Sequence, residues 1–432
     1  MDLEIHRDGA WVPCATLESA GADLTVRGPV SVRYDVDYAL ANLDARDFRA
    51  LSVRTPVSLA SPHFPAWPSM LMDLLPQGAA RRRLLTIAGH DLSPWEMMAR
   101  GAVNPVGNLR VRPVSPVTWT PHPGFTLEEM ATRGDAFIDY AASVGATVAG
   151  ATDTQGEAPK IWVVQDPQGR WHPDGGHLPF AIRRYALLKF PVPEAGARAA
   201  QILRNEARFQ KVAARCGLRV TAELPEELGA ATEGAILLPR FDRRWTDGRE
   251  VRLGVESMYS VCGVIDSANT PLRHDQVLIE LAKHVSDFAG EFIEYVRRDL
   301  LNLALGNRDN HGRNTALLKD IDGTMALAPL FDFGPSFLDA RAIVRVIRWD
   351  GEEPGGHGGW AKVIANLDTR FEEARLASPR SWFEQAVRLT LPQLSQLPAL
   401  MRDCGVDEEI IAMRQPEIER LVEGLRNAGI TS

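Results

Sequence analysis

The chain has 432 residues, 45% of them hydrophobic and 24% charged, and carries a formal net charge of −8. That length exceeds one ordinary core and implies two or three domains, while the composition excludes a disordered chain. The acidic balance argues against a protein whose whole surface grips nucleic acid and leaves room only for a local basic patch. The four cysteines, Cys14, Cys216, Cys262 and Cys404, are scattered without a C-x-x-C pair. They read as reduced thiols, not as a disulfide framework or a zinc site. The N-terminal MDLEIHRDGAWVP lacks the basic start and apolar run of a signal peptide, and no stretch approaches the roughly 20 apolar residues of a membrane span. The expected location is the cytoplasm, with no membrane association.

In chain order, LEIHRDG, DLTVRG and SVRYDV alternate apolar and polar residues and predict short strands. SMLMDLLPQGAARRRLLTIA is interrupted by Pro76 and Gly78, which predicts two short helical pieces around a turn. Its Arg81–Arg83 run reads as a solvated helix face. NLRVRPVSPVTW is extended, with prolines that suit an edge strand or a connector. Helical spacing covers 126–144. KIWVVQ and RRYALLKF predict strands, with QDPQGRWHPDGG as the loop between them. ARAAQILRNEARFQKVAARCG predicts an amphipathic helix closed by Gly217. RVTAEL and AILLPRF predict two more strands. After Phe241 the period turns helical, in HDQVLIELAKHVS, EFIEYVRRDLLNLALGN, SWFEQAVRLTL and EEIIAMRQPEIERLVEGLRNAG. No internal repeat and no helix-turn-helix emerges.

The chemistry concentrates in the last third. GNRDNHGRN follows a strongly apolar helix, so its polar residues, Asp309 and Asn314 among them, fall in a turn or loop. Downstream, PLFDFG sets Asp332 before Phe333 and Gly334. Magnesium-assisted phosphoryl transfer needs these parts: an aspartate for the attacking hydroxyl's proton, an amide oxygen for the metal, and a second aspartate for metal that bridges the phosphates. D-x-x-x-x-N followed by D-F-G is the protein-kinase order. Either motif alone is also what a solvated turn looks like; the two in order make the kinase reading the stronger. His311, inside the loop, either orients Asp309 or contacts a phosphate, and a purely structural hydrogen bond is an equal alternative.

A kinase also needs a cation over the phosphates. Lys189 ends the run YALLKF, where it is costly to bury without an anion; a lysine snorkelling to water is the competing reading. Glu206 on the following helix is its candidate partner, with Glu194 also near in sequence. Gly150 and Gly156 flank small polar residues upstream and suit a loop over triphosphate, although the pattern is neither G-x-G-x-x-G nor a Walker loop. ILLPRFDR reads as a strand running into a connector, where backbone groups would meet adenine; Arg240, Asp242 and Arg243 read equally as surface ion pairs of little weight.

Together these segments resemble the HipA-type serine/threonine kinases, the toxin halves of bacterial toxin–antitoxin pairs. MLMDLLPQGAARRRLL is similar to the family's LLPEG-x-x-R segment, VGNLRV to its G-A-L segment and QGEAPK to its G-x-x-P-K loop. YALLKF resembles its ATP-lysine strand, NEARFQKVAARCGL its Asn-Glu helix, PRFDR its hinge, GNRDNHGRN its catalytic loop and PLFDFG its metal-binding aspartate. The resemblance implies an α+β, protein-kinase-like bilobal fold: an extra β-rich N-terminal domain over 1–125, a β-rich N-lobe over 126–241 and an all-helical C-lobe over 242–432. It implies ATP and Mg2+ as cofactors, Asp309 as catalytic aspartate, Asn314 and Asp332 as metal ligands, and Lys189 on the phosphates. Gln155, Gly156, Glu157, Leu238, Arg240, Phe241 and His311 complete the implied nucleotide site. It further implies a protein substrate such as an aminoacyl-tRNA synthetase, whose phosphorylation arrests growth and supports persistence. A HipB-like DNA-binding antitoxin is the implied partner, with DNA reached only through it. The family's glycine loop often carries an autophosphorylated serine; here Thr152 or Thr154 would replace it, or the control is absent. A small-molecule kinase and a non-catalytic module that holds an antitoxin or DNA are the competing expectations.

Overall fold

The computed structural model describes residues 1–102, 104–113, 121–132, 160–175, 178–191, 196–228, 234–265 and 270–429. The chain forms two compact units, one of Met1–Val192, Leu228–Ala268 and Ala316–Met325, the other of Pro193–Glu227, Asn269–Thr315 and Ala326–Ser432.

The first unit begins with a five-stranded sheet in the order His63–Phe64, Val30–Tyr34, Ala10–Ser19, Asp2–Arg7, Leu109–Val111. Leu3, Ile5, Leu17 and Val32 bury one face of it in a core with Trp67, Leu71 and Met98. The long strand Ala10–Ser19 escapes a reading by punctuation because Pro13 interrupts it. The register slips between Leu3 and Glu4, which pair with Ala15 and Pro13; such a bulge is where a residue without an N–H is tolerated in a sheet. DLTVRG, expected as a strand, is instead a turn: the Asp23 carboxylate accepts from the Thr25 amide at 2.9 Å and Gly28 N donates to Thr25 O. Its aspartate competes with a sheet ladder for the backbone. LLPQG does separate two helices, Leu71–Leu74 and Gly78–Ala88.

A second antiparallel array runs Trp171–Pro173, Lys160–Gln165, Arg184–Lys189, Ile236–Pro239. Both predicted strands are present, and part of the expected QDPQGRWHPDGG loop is the third, paired with Val163–Gln165. Sheet structure also continues past Phe241, against the helical expectation. Asp247 and Gly248, at φ 52° and 74°, close a hairpin between Arg243–Thr246 and Arg249–Arg252, the Asp-Gly turn that a right-twisted ribbon prefers. Gly254–Ser257 then pairs with Ala316–Lys319.

In the second unit, helix Phe288–Leu305 buries Phe292, Val296, Leu300, Leu301 and Ala304 and packs against helices Arg380–Asp403 and Glu408–Asn427. The last two run through Pro392, Pro398 and Pro416. Burial of Leu391, Leu394, Leu397 and Met401 on one face outweighs the cost of a proline in a helix interior, about 3 kcal/mol. RVTAEL is not the strand expected; it makes one parallel bridge, Val220 to Leu330. Among the described residues no helix is long and apolar enough to cross a membrane.

Candidate active site

Helix Phe288–Leu305 starts on Asp287, whose carboxylate accepts from Gly290 N, and stops at Gly306 in the left-handed region at φ 75°. A Cβ on Gly306 would lie 2.7 Å from the Phe337 ring, so both conformation and space require glycine there. The chain then enters the polar loop. Asn307 donates its side-chain N–H to Asn302 Oδ1 at 2.9 Å, anchoring the loop to the helix's last turn. Ser336 Oγ, four residues beyond Asp332, accepts from Arg308 N at 2.7 Å and Asp309 N at 3.1 Å and donates to Asn307 Oδ1 at 3.2 Å. Asn310 behaves as a strand edge: its amide donates to Ile347 O at 2.9 Å and accepts from Val346 N at 3.2 Å.

Asp309, His311 and Asn314 are brought together in this loop. Asn314 donates its side-chain N–H to Asp309 O at 2.9 Å, and its backbone N–H goes to His311 O. His311 is buried; its Nδ1 accepts from Arg313 N at 3.3 Å, so the neutral ring carries its proton on Nε2, 3.3 Å from Asp309 Oδ1. The imidazole thus stands beside the Asp309 carboxylate. Behind the loop lies a cavity of about 30 Å³ lined by Asp299, Asn302, Asn307, Asp309, Asn310 and Asn314. That is room for a water molecule or two, far short of a nucleotide.

Asp332 has φ 47°, a left-handed conformation unusual for a residue other than glycine. Such local strain persists only where neighbours over-determine the backbone, and it concentrates at functional sites. Here the neighbours are specific. Phe333 is fully buried, 5.8 Å from the Phe209 ring, and a Cβ on Gly334 would meet that of Glu206 at 3.3 Å. Just upstream, Gln210 donates to Leu330 O at 3.0 Å, and Leu330 N to Arg219 O at 2.8 Å. Helix Gly196–Arg215 therefore backs the Asp332 segment with Glu206, Phe209 and Gln210 in succession.

One buried oxygen here suits a divalent cation. With its N–H spent on Asp309 O, Asn314 keeps a buried Oδ1 that has no hydrogen-bond partner. A buried amide oxygen left over is the kind of hard donor that magnesium takes.

The remaining predicted residues lie in the first unit or outside the described residues. Lys189 ends its strand, 4% exposed, level with Lys160 on one side and Ile236 on the other. Leu238 is buried in the neighbouring strand opposite Leu187, and Phe241 is half-buried. Arg240, Asp242 and Arg243 are not surface ion pairs. Their side chains are 0%, 2% and 0% exposed, with Arg240 on Asp242 at 2.6 and 2.8 Å and both arginines on Asp174. Arg240 also lies 3.9 Å over the Trp162 ring. Burial alone would raise the Asp242 pKa, but Arg240, Arg243 and the Gly107 amide hold it down at about 2. The Gly107 N–H to Asp242, 2.8 Å long, joins the VGNLRV segment to PRFDR, two motifs 135 positions apart. Gln155, Gly156, Glu157, Thr152, Thr154 and Glu194 lie outside the described residues.

Comparison with known proteins adds the family. The model of the HipA-like C-terminal domain matches residues 152–388, more than half of the chain. The chain belongs to the HipA family. Among solved structures, the toxin–antitoxin complex of HipA, HipB and operator DNA from Shewanella oneidensis MR-1 matches with a TM-score of 0.68 at 15% identity, over 98% of this chain and 97% of that one. The fold is accordingly the mixed α/β fold of HipA. The proinflammatory kinase CtkA of Helicobacter pylori aligns at a TM-score of 0.37 and 13% identity, over 59% of this chain and 92% of that one. No curated protein matches. Ser336, Asn302, Asn307 and Asn310, which hold the loop of this HipA-family protein in place, were missed from sequence; the one available signal was the density of Asn and Ser around the two motifs.

Proposed function

We propose that this HipA-family chain is a serine/threonine protein kinase that uses ATP and Mg2+. The observation that carries the reading is Asn314, whose N–H steadies the Asp309 backbone while its unpartnered Oδ1 stays available to a cation. In this reading Asp309 accepts the proton of the acceptor hydroxyl as its oxygen bonds to the γ-phosphorus and ADP leaves. His311, 3.3 Å from the Asp309 carboxylate, orients it. Asn314 and Asp332 hold the magnesium ion, which when bound neutralises charge on the phosphate oxygens. Lys189 supplies the cation on the α- and β-phosphates, with Gln155, Gly156 and Glu157 over them and Leu238, Arg240 and Phe241 at the adenine end. The bilobal division at 126–241 and 242–432, behind an N-terminal domain of 1–125, belongs to the same proposal.

The S. oneidensis complex holds HipA with HipB and operator DNA. By analogy we assign this chain a HipB-like antitoxin as partner, with DNA contacted through it. Its acceptor is a translation-related protein such as an aminoacyl-tRNA synthetase, and its site of action is the cytoplasm.

Incubation with labelled ATP and a cell lysate tests the reading: label should enter protein. Label confined to metabolites would make it a small-molecule kinase, and no transfer with intact ATP binding would make it a binding module. Asp332→Asn should weaken magnesium-dependent ATP binding about 10- to 100-fold by calorimetry; unchanged affinity would remove Asp332 from the metal. Lys189→Ala should weaken ATP binding or slow turnover by about 10- to 100-fold, the worth of a charge-assisted contact. Full activity in that variant would end its assigned role.

A further inference from the structure

The two acidic motifs are short, separate stretches of chain, and phosphoryl transfer depends on holding their carboxylates at a fixed separation. One side chain bridges them. Ser336 lies four residues past Asp332, on the 3-10 turn Ser336–Leu338. Its Oγ takes both the Arg308 and the Asp309 amides and gives its own proton to Asn307. Asn307 passes the constraint on to Asn302 in helix Phe288–Leu305. A hydroxyl with two acceptor lone pairs and one donor is fully used in this arrangement. The flanks leave little alternative: Phe337 packs on Gly306 and under the Arg414 guanidinium, which itself donates to Leu303 O and Ala304 O. On the other side Phe333 and Gly334 rest on Phe209 and Glu206.

We infer that Ser336 is a positioning residue for catalysis: its hydroxyl clips the Asp309 loop to the Asp332 segment, so that base and metal ligand move as one body. The inference rests on the kinase reading of Asp309 and Asp332. Alanine at 336 leaves the Arg308 amide without its acceptor, takes from the Asp309 amide the shorter of its two, the other being Asn307 Oδ1 at 3.3 Å, and frees the loop to shift against the segment. Misplacements of about 1 Å cost reactions on the order of 100-fold in rate. Nucleotide binding without magnesium is untouched, because Ser336 contributes no group to it.

The test uses the full chain as wild type, Ser336→Ala and Ser336→Thr. For alanine, kcat should fall about 10- to 100-fold with the Kd for ATP measured without magnesium kept within twofold, and threonine should restore kcat. Amide hydrogen exchange at Arg308 and Asp309 should accelerate in alanine and not in threonine. A kcat within threefold of wild type, or exchange at those amides that does not change, overturns the clip. So does a loss of ATP binding equal to the loss of kcat, which would mark a general structural defect. Wild type that transfers no phosphate overturns the kinase reading instead, while the exchange measurement still decides whether the clip exists.

Discussion

An Asp309→Asn variant is expected to lose about 10²- to 10⁴-fold in phosphotransfer rate, the usual worth of a positioned proton acceptor, and to keep its affinity for ATP. The substitution is well isolated. Asn314 and Ser336 hold the Asp309 backbone, through its carbonyl and its amide, so an isosteric amide leaves the loop in place. What changes is the group opposite His311: the proton on Nε2 would face an amide in place of a carboxylate oxygen 3.3 Å away. Asparagine cannot take the acceptor's proton, so turnover falls while the proposed metal ligands Asn314 and Asp332 stay as they were. Single-turnover transfer from labelled ATP, paired with calorimetry of ATP binding, separates the two quantities. A rate within tenfold of wild type would show that Asp309 is not the base. In cells, wild type should arrest growth and Asp309→Gln should not; equal arrest by both would detach toxicity from phosphotransfer.

The parts of this centre differ in how legible they are in sequence. GNRDNHGRN reads as a loop because an 18-residue apolar helix runs into Gly306, and local composition alone sets a helix and its stop. Lys189 at the end of a strand is legible for the same reason, since YALLKF carries its own pattern. Ser336 is not. Its partners lie 27 to 29 positions away, and a serine two residues after Gly334 looks like any turn serine until the backbone returns past it. Arg240 and Asp242 were misread in the opposite sense. Charged residues after a strand resemble a solvated connector, whereas Asp174 and the Gly107 amide, 66 and 135 positions off, bury them. Strands after Phe241 were missed because they are four residues long, too short for a period to show. RVTAEL failed for the converse reason, being strand-like in composition but without a partner strand beyond one bridge.

The largest loss of stability is expected at Glu256, which no motif marks. Its carboxylate accepts four bonds inside the first unit: Ser52 Oγ at 2.5 Å, Ser260 Oγ at 2.8 Å, Val53 N at 3.0 Å and Lys319 Nζ at 3.0 Å. Glu256 and Lys319 are 2% and 3% exposed. Removing one partner of such a pair strands the other charge in a low dielectric, at a cost of about 3–5 kcal/mol. That is a large part of the roughly 5–15 kcal/mol that holds a typical domain together. Glu256→Ala should therefore lower the first thermal transition of the full chain sharply. Glu256→Gln should cost less, because its amide can donate to the two serine hydroxyls while its oxygen still accepts from Val53 and Lys319. Lys319→Met is expected to be milder than Glu256→Ala, since the carboxylate keeps three donors. The pair also sets an acid limit. Burial works to raise the Glu256 pKa, but Lys319, Ser52, Val53 and Ser260 together hold it below the ordinary 4.5. A carboxyl depressed on folding contributes stability that is whole above the unfolded value and drains as pH falls toward the folded one. Urea midpoints followed from pH 7 downward should thus decline below about 4.5 more steeply in wild type than in Glu256→Gln. Parallel declines would mean that other carboxylates carry the acid limb.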